Sequence, residues 1–250
     1  MGHIIALAGK GGTGKTTTAA LLVRLIKEKK LGSCLAVDAD PNSNLGESLG
    51  LPAQESIGII LDQISAHPDK IPAGMPKDRF LEYRVGTAIL EGNGFDLLTM
   101  GKPEGPGCYC YINNVLRNIV DKLIKDYDYV VIDNEAGLEH LSRRTTRQAD
   151  VLLVIADATK VGLRAAKRVN DLSEELDIRI GKRLLIINKD SGEADSALIK
   201  GTGLEHIGSI GVDQALARIS SNGSSVMDLP PDALSLNSLA NIGESIWQRN

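Results

Sequence analysis

The chain has 250 residues, of which 42% are hydrophobic, 24% charged and 3% aromatic, with a formal net charge of −4. That length suits one large α/β domain or two small ones, and with few aromatic residues the core falls to Leu, Ile, Val and Ala, a composition suited to a parallel sheet covered on both faces. The charge gives no general attraction to nucleic acid, no apolar run approaches the roughly 20 residues of a membrane helix, and three cysteines, an odd number, do not make a disulfide framework. The N-terminus enters the first strand at once, so no signal peptide is expected, and the expectation is a cytoplasmic protein with free thiols.

His3 to Ala8 reads as a buried strand, and Thr17 to Lys29 as a helix with Ala19, Ala20, Leu22, Val23 and Ile26 at helical spacing. Between them lies Gly9-Lys10-Gly11-Gly12-Thr13-Gly14-Lys15-Thr16, a match to G-x-x-x-x-G-K-[ST] in the strand-then-helix context that the motif requires. Gly11, Gly12 and Gly14 allow a tight turn that aims backbone amides inward, and the helix N-terminus adds partial positive charge. Lys15 then reaches the β- and γ-phosphates of a nucleotide and the Thr16 hydroxyl ligates Mg²⁺; Thr13 and Thr17 complete the binding loop. Lys10 is a second cation in a loop that already has its phosphate lysine. The pattern Lys-Gly-Gly-x-Gly-Lys-Thr resembles the deviant Walker A motif of the MinD, ParA and nitrogenase iron protein group of ATPases. The resemblance implies a homodimer in which Lys10 reaches the partner's nucleotide and steadies developing phosphate charge.

Ser33 to Val37 is a short apolar strand that ends at Asp38-Ala39-Asp40-Pro41-Asn42, placing carboxylates where open α/β sheets bind ligands. In the family this resembles switch I, which implies that Asp40 positions or activates the attacking water and that Asp38 lies near Mg²⁺. Cys34, mid-strand, reads as a small core residue. From Asn44 to Arg84 the pattern is of short amphipathic helices broken by prolines, with no mark of chemistry. Thr87 to Leu90 and Phe95 to Met100 read as strands around a tight turn.

Gly105-Pro106-Gly107-Cys108-Tyr109-Cys110-Tyr111 precedes a helix from Ile112 to Lys125 with one apolar face. Two thiols in a turn at a helix N-terminus favour the thiolate, the form that binds soft metals. A pair makes half of a four-coordinate site, and a second copy related by a two-fold axis would complete it. The spacing alone also fits thiols without a role, or a redox pair. Together with the Lys10 loop it resembles the CooC-type accessory ATPases of nickel carbon monoxide dehydrogenase maturation. That resemblance implies Ni²⁺ or Zn²⁺ held by Cys108 and Cys110 of both subunits, with carbon monoxide dehydrogenase or a related acetyl-CoA synthase as client.

Tyr129 to Asp133 is a buried strand ending in an acid, followed by Asn134-Glu135-Ala136-Gly137, which fits Walker B and switch II: Asp133 holds Mg²⁺ through water and Gly137 lets the backbone swing toward the γ-phosphate. No catalytic role attaches to Glu135. The four histidines, among them His140, lack metal-like spacing. Val151 to Ala156 is a strand, Gly162 to Asp177 a helix, and Arg183 to Ile187 a strand leading into Asn188-Lys189-Asp190. Ser191 stands where a guanine-reading aspartate belongs, so adenine is expected, with Asn188 reading its amino group as the matching residue does in this family. His206 to Ile210 is a short strand, Asp213 to Ser220 a helix with Gly211-Val212-Asp213 flanking the base, and Asp232 to Gln248 a closing helix. A basic amphipathic tail is lacking, so membrane targeting is not expected.

The alternation of strands and helices predicts one doubly wound P-loop domain over residues 1–250, with a mostly parallel sheet and nucleotide at the strand C-termini. The leading functional expectation is a homodimeric metallochaperone ATPase that binds ATP or ADP with Mg²⁺ and assists nickel insertion, with no nucleic acid or membrane partner. The alternatives are a MinD/ParA-like positioning or partitioning switch and an iron–sulfur reductase resembling the nitrogenase iron protein, whose ligands come from separated positions rather than an adjacent pair.

Overall fold

The computed structural model describes residues 2–101, 110–135, 148–176, 178–192 and 194–248; of residues 110–114 it gives the backbone alone. Eight strands form one sheet: β1 (His3–Ala8), β2 (Cys34–Ala39), β3 (Leu90–Glu91), β4 (Asp96–Thr99), β5 (Tyr129–Asn134), β6 (Gln148–Ala156), β7 (Arg179–Asp190) and β8 (Glu205–Gly211). Their order is β3-β4-β2-β5-β1-β6-β7-β8, and every pairing is parallel except β3 with β4 at one edge. The doubly wound, mostly parallel α/β domain read from the sequence is the observed fold. Such a sheet must be covered on both sides, and each strand therefore divides its side chains between two cores. Ile4, Ala6 and Ala8 of β1 join one, and Ile5 and Leu7 join the other.

The first core is closed by α3 (Ile57–Ala66), α4 (Lys77–Thr87), α5 (Cys110–Leu123) and α6 (Lys160–Glu175). The second is closed by α1 (Lys15–Glu28), α2 (Leu45–Ser48), α8 (Gln214–Asn222), α9 (Leu234–Ile242) and α10 (Glu244–Trp247). A short α7 (Ser196–Lys200) links β7 to β8. Leu21, Leu22, Val23 and Ile26 of α1 are all within 1% of full burial, so truncating one to Ala costs about 2–5 kcal/mol. Arg24, on the same helix and also buried, spends its guanidinium on the carbonyls of Val226 and Leu229 at 2.7 and 2.8 Å and on Glu28 at 2.7 Å, which ties the segment after α8 to the nucleotide-loop helix.

Several local expectations are corrected. Thr87 ends α4 rather than starting a strand, and β3 is only two residues long, because the helix and its cap run through Ala88 and pairing with β4 begins at Leu90. The closing helix is two pieces, α9 and α10, with Gly243 between them; the Trp247 ring packs where a Cβ on Gly243 would stand, so the chain bends there to seat the indole. Strands β6 and β7 are also longer than expected, since their first residues, Gln148 and Asp150 or Arg179 and Lys182, are polar and lie at the sheet's rim.

Candidate active site

The loop after β1 opens at the C-terminal end of the sheet, with β5 on one side of β1 and β6 on the other. Two glycines set its path. Gly9 passes so close to β6 that a Cβ would overlap the Ile155 carbonyl, and Gly14, left-handed at φ 94°, caps α1 with the side chain of Asn188 filling the space where its Cβ would be. The Lys10 carbonyl is the hub of the turn. It accepts from the Thr13 hydroxyl at 2.9 Å and lies 3.4 Å from the Lys15 ammonium, while the Lys10 side chain is exposed. Among the described residues no side chain caps α1, its N-cap being Gly14, so the amides of its first turn remain available to an anion.

A cleft of about 700 Å³ runs from this loop between β7 and α8, lined by Gly11, Gly12, Gly14, Lys15, Thr16 and Thr17 at one end and by Gly211, Val212, Leu216 and Ala217 at the other. Asp40 and Asn188 also line it, so the structure gathers most of the predicted nucleotide-binding residues around one space. Asn188 bridges β7 to the loop: its Nδ2 donates to the Thr13 carbonyl at 2.7 Å, and its Oδ1 accepts from the Lys189 amide at 2.9 Å. Lys189 holds a left-handed backbone, φ 56°, and its ammonium reaches the Gly12 carbonyl at 3.1 Å. Sequence reasoning assigned Lys189 nothing; its place directly after Asn188 was the available signal.

Three carboxylates meet the loop in different states. Asp40 is half-buried, and its Oδ1 accepts from both the amide and the carboxamide of Asn42, at 2.9 and 2.8 Å. Asp38 is fully buried and does not line the cleft; its two oxygens accept from the amides of Asp40 at 3.2 Å and Leu45 at 2.8 Å, which folds the segment after β2 back on itself. Burial pushes its pKa up to about 7, with Asp133 and Asp40 adding to the shift and the two amides opposing it. Asp133 is 1% exposed, and among the described residues neither of its oxygens has a hydrogen-bond partner. Burial pushes its pKa up to about 6; Thr16 and Lys15, close by, draw it back without the Thr16 hydroxyl reaching hydrogen-bonding geometry. An unpaired buried carboxylate beside a threonine hydroxyl offers oxygens suited to Mg²⁺, which is commonly held by one or two protein oxygens plus phosphate and water, while the Lys15 ammonium supplies positive charge for the phosphates.

Asp213 is a structural clamp. Its Oδ1 caps α8 through the amides of Ala215 and Leu216, and its Oδ2 accepts from the amide and hydroxyl of Ser235 on α9. Burial raises its pKa, but these four bonds outweigh that and hold it below the usual carboxylate range. Cys108 and Gly137 lie outside the described residues, as does His140, and of Cys110 the structure gives its position as the first residue of α5. Among the described residues no cluster of three or more His, Cys, Asp or Glu side chains stands ready for a metal ion, and no helix is long and apolar enough to cross a membrane.

Comparison with known proteins places this geometry in context. The family model described as AAA domain matches residues 2–186. An uncharacterized ATP-binding protein of Methanocaldococcus jannaschii is 43% identical, covering 97% of this chain and 98% of its own length. The carbon monoxide dehydrogenase accessory protein CooC of Rhodospirillum rubrum is 28% identical over 91% of this chain and 90% of its own. The septum site-determining protein MinD of Pyrococcus horikoshii, solved with Mg-ADP, shares the fold at a TM-score of 0.71 with 18% identity, covering 98% of this chain and 96% of that one.

Proposed function

This chain belongs to the AAA-domain family, as a P-loop ATPase of the MinD/ParA kind, and from that premise we propose that it is a homodimeric metallochaperone ATPase which couples ATP hydrolysis to nickel handling for carbon monoxide dehydrogenase or a related acetyl-CoA synthase. The observation that carries the ATPase half is the buried, unpartnered carboxylate of Asp133 beside Thr16 and Lys15 at the glycine loop. The metal half is supported by Cys108-x-Cys110 and by the likeness over nine-tenths of the chain to the accessory protein CooC.

In this reading the loop amides and Lys15 hold the β- and γ-phosphates, and Thr16 and Asp133, with Asp38 behind them, hold Mg²⁺, which neutralises phosphate charge when bound. Asp40, its carboxylate oriented by Asn42, accepts a hydrogen bond from the attacking water. The water oxygen bonds to the γ-phosphorus while its proton passes to a phosphate oxygen, the bond to the β–γ bridging oxygen breaks with its electrons going to ADP, and ADP and phosphate leave. Lys10, exposed at the rim of the loop, serves the partner's nucleotide. Loss of that shared contact opens the dimer and disturbs a cysteine site built from both copies. Asn188 faces adenine with the second lone pair of an oxygen that already accepts from Lys189. The proposed location is the cytoplasm.

The decisive variant is Cys108→Ala with Cys110→Ala. It is expected to lose nickel binding in an anaerobic titration while still binding ATP; unchanged nickel stoichiometry would remove the metal half. The likeness in fold to MinD favours one second reading, a positioning ATPase without need of thiols, which cosedimentation with liposomes or DNA in the presence of ATP would support.

A further inference from the structure

The nucleotide cleft does not end at α8. It continues into a recess of about 270 Å³ that shares Thr16, Thr17, Asn44 and Ser220 with it. Glu47 of α2 and Gly223, the left-handed C-cap of α8, stand on opposite sides of this recess. Glu47 Oε1 lies 3.4 Å from the point where a Cβ on Gly223 would stand, so the carboxylate spans the gap between the two helices. Both Glu47 and Ser220 are exposed, and among the described residues no hydrogen bond or ion pair engages either side chain.

The chemistry of the recess differs from that of the slot beside it. Val212, Leu216 and Ala217 present apolar surface suited to the face of a base, whereas Thr17, Asn44, Ser220 and Glu47 present hydroxyls, a carboxamide and a carboxylate. A nucleotide with its phosphates on the Thr16–Thr17 turn and its base in the apolar slot passes its sugar along the edge the two spaces share. A carboxylate there is a strong acceptor for a vicinal diol, the same solution by which an acidic residue reads the ribose in dinucleotide-binding folds. We infer that Glu47, assisted by Ser220, is the ribose-reading residue of this site and selects ribonucleotides over 2′-deoxyribonucleotides and over nucleotides carrying a 2′-phosphate.

This inference rests on the ATP-binding reading, and calorimetric titration of the whole chain with ADP and 2′-deoxy-ADP, with Mg²⁺ present, separates the two. Wild type is expected to bind 2′-deoxy-ADP about tenfold more weakly than ADP, the scale of one hydrogen bond to a charged group. Glu47→Ala is expected to lower ADP affinity by a similar factor and bring the ratio close to one, with Glu47→Gln intermediate; Ser220→Ala reduces the ratio in part. Equal wild-type affinities, or a ratio unchanged in Glu47→Ala, would overturn the assignment while leaving the ATPase intact. No ADP binding by wild type would overturn the ATPase reading and the ribose site with it.

Discussion

Asp38 and Asp133 occupy matched register positions on the adjacent parallel strands β2 and β5, so two buried carboxyls stand side by side at the C-terminal edge of the sheet. Burial is the largest cost of ionising either one; Asp133 and Asp40 add to it for Asp38, and Asp40 adds to it for Asp133, so Asp38 is pushed up to about 7 and Asp133 to about 6. A site that must accept a magnesium-bound polyphosphate keeps negative charge in reserve here, and the reserve is costly until it is used.

That cost gives a pH signature in the protein without nucleotide. A carboxyl whose folded pKa lies above its unfolded value of 3.8 stabilises the fold while protonated, and that stabilisation is lost as pH rises through about 6 to 7. The unfolding midpoint, measured relative to Asp38→Asn, is therefore expected to fall between pH 5 and pH 7.5, and Mg-ADP is expected to stabilise more at the upper end of that range. A difference independent of pH would contradict it.

Arg24→Met is expected to destabilise by about 3 kcal/mol, because the Leu229 carbonyl loses its Arg24 donor and the Val226 carbonyl keeps only the 3.3 Å bond from the Leu229 amide. For a chain of this length that lowers the thermal midpoint by roughly 10 °C. Nucleotide affinity should weaken as well, since the same segment carries the end of α8 against α1.

Asn188→Ala removes the donor that holds the Thr13 carbonyl and leaves a hole beside Gly14. ADP affinity is expected to drop about tenfold or more, from loop disorder and loss of a base contact together. Fluorescent nucleotide competition checks it; an unchanged affinity would show that Lys189 alone holds β7 to the loop.

Cys34 is buried mid-strand, and burial, with Asp96 nearby, pushes its thiol up to about 12. It is expected to resist alkylation at pH 7.5 in the folded protein and to react only after denaturation. Mass analysis of the Cys34 peptide after native and denatured labelling checks it. Labelling of Cys34 at the same rate in the folded and denatured protein would contradict its placement.

Much of this was legible in residue order. Apolar runs such as His3–Ala8 and Tyr129–Asp133 are continuous because both faces of a central parallel strand are buried, and the glycine loop announces itself through residue types with few other uses. The rims of β6 and β7 were not legible, since Asp150 and Lys182 look like loop residues until the sheet places them at its edge. Neither was the break at Gly243, which depends on where the Trp247 ring lands. In the site, Asp40 is legible as a carboxylate just past an apolar strand, and Asn188 through its near match to an Asn-Lys-x-Asp element. Lys189 and Asn42 escape a reading of the sequence because each acts through its reach to another residue, and charged or amide side chains of that kind are common on any surface.

The most direct test of a shared, two-copy machine is light scattering under anaerobic conditions, with molar mass read as Ni²⁺ and nucleotide are added together. The expected result is a species of twice the mass of the 250-residue chain, carrying one nickel per pair and reverting to single chains in Cys108→Ala with Cys110→Ala. A wild-type protein that remains a single chain at saturating nickel and nucleotide would contradict it.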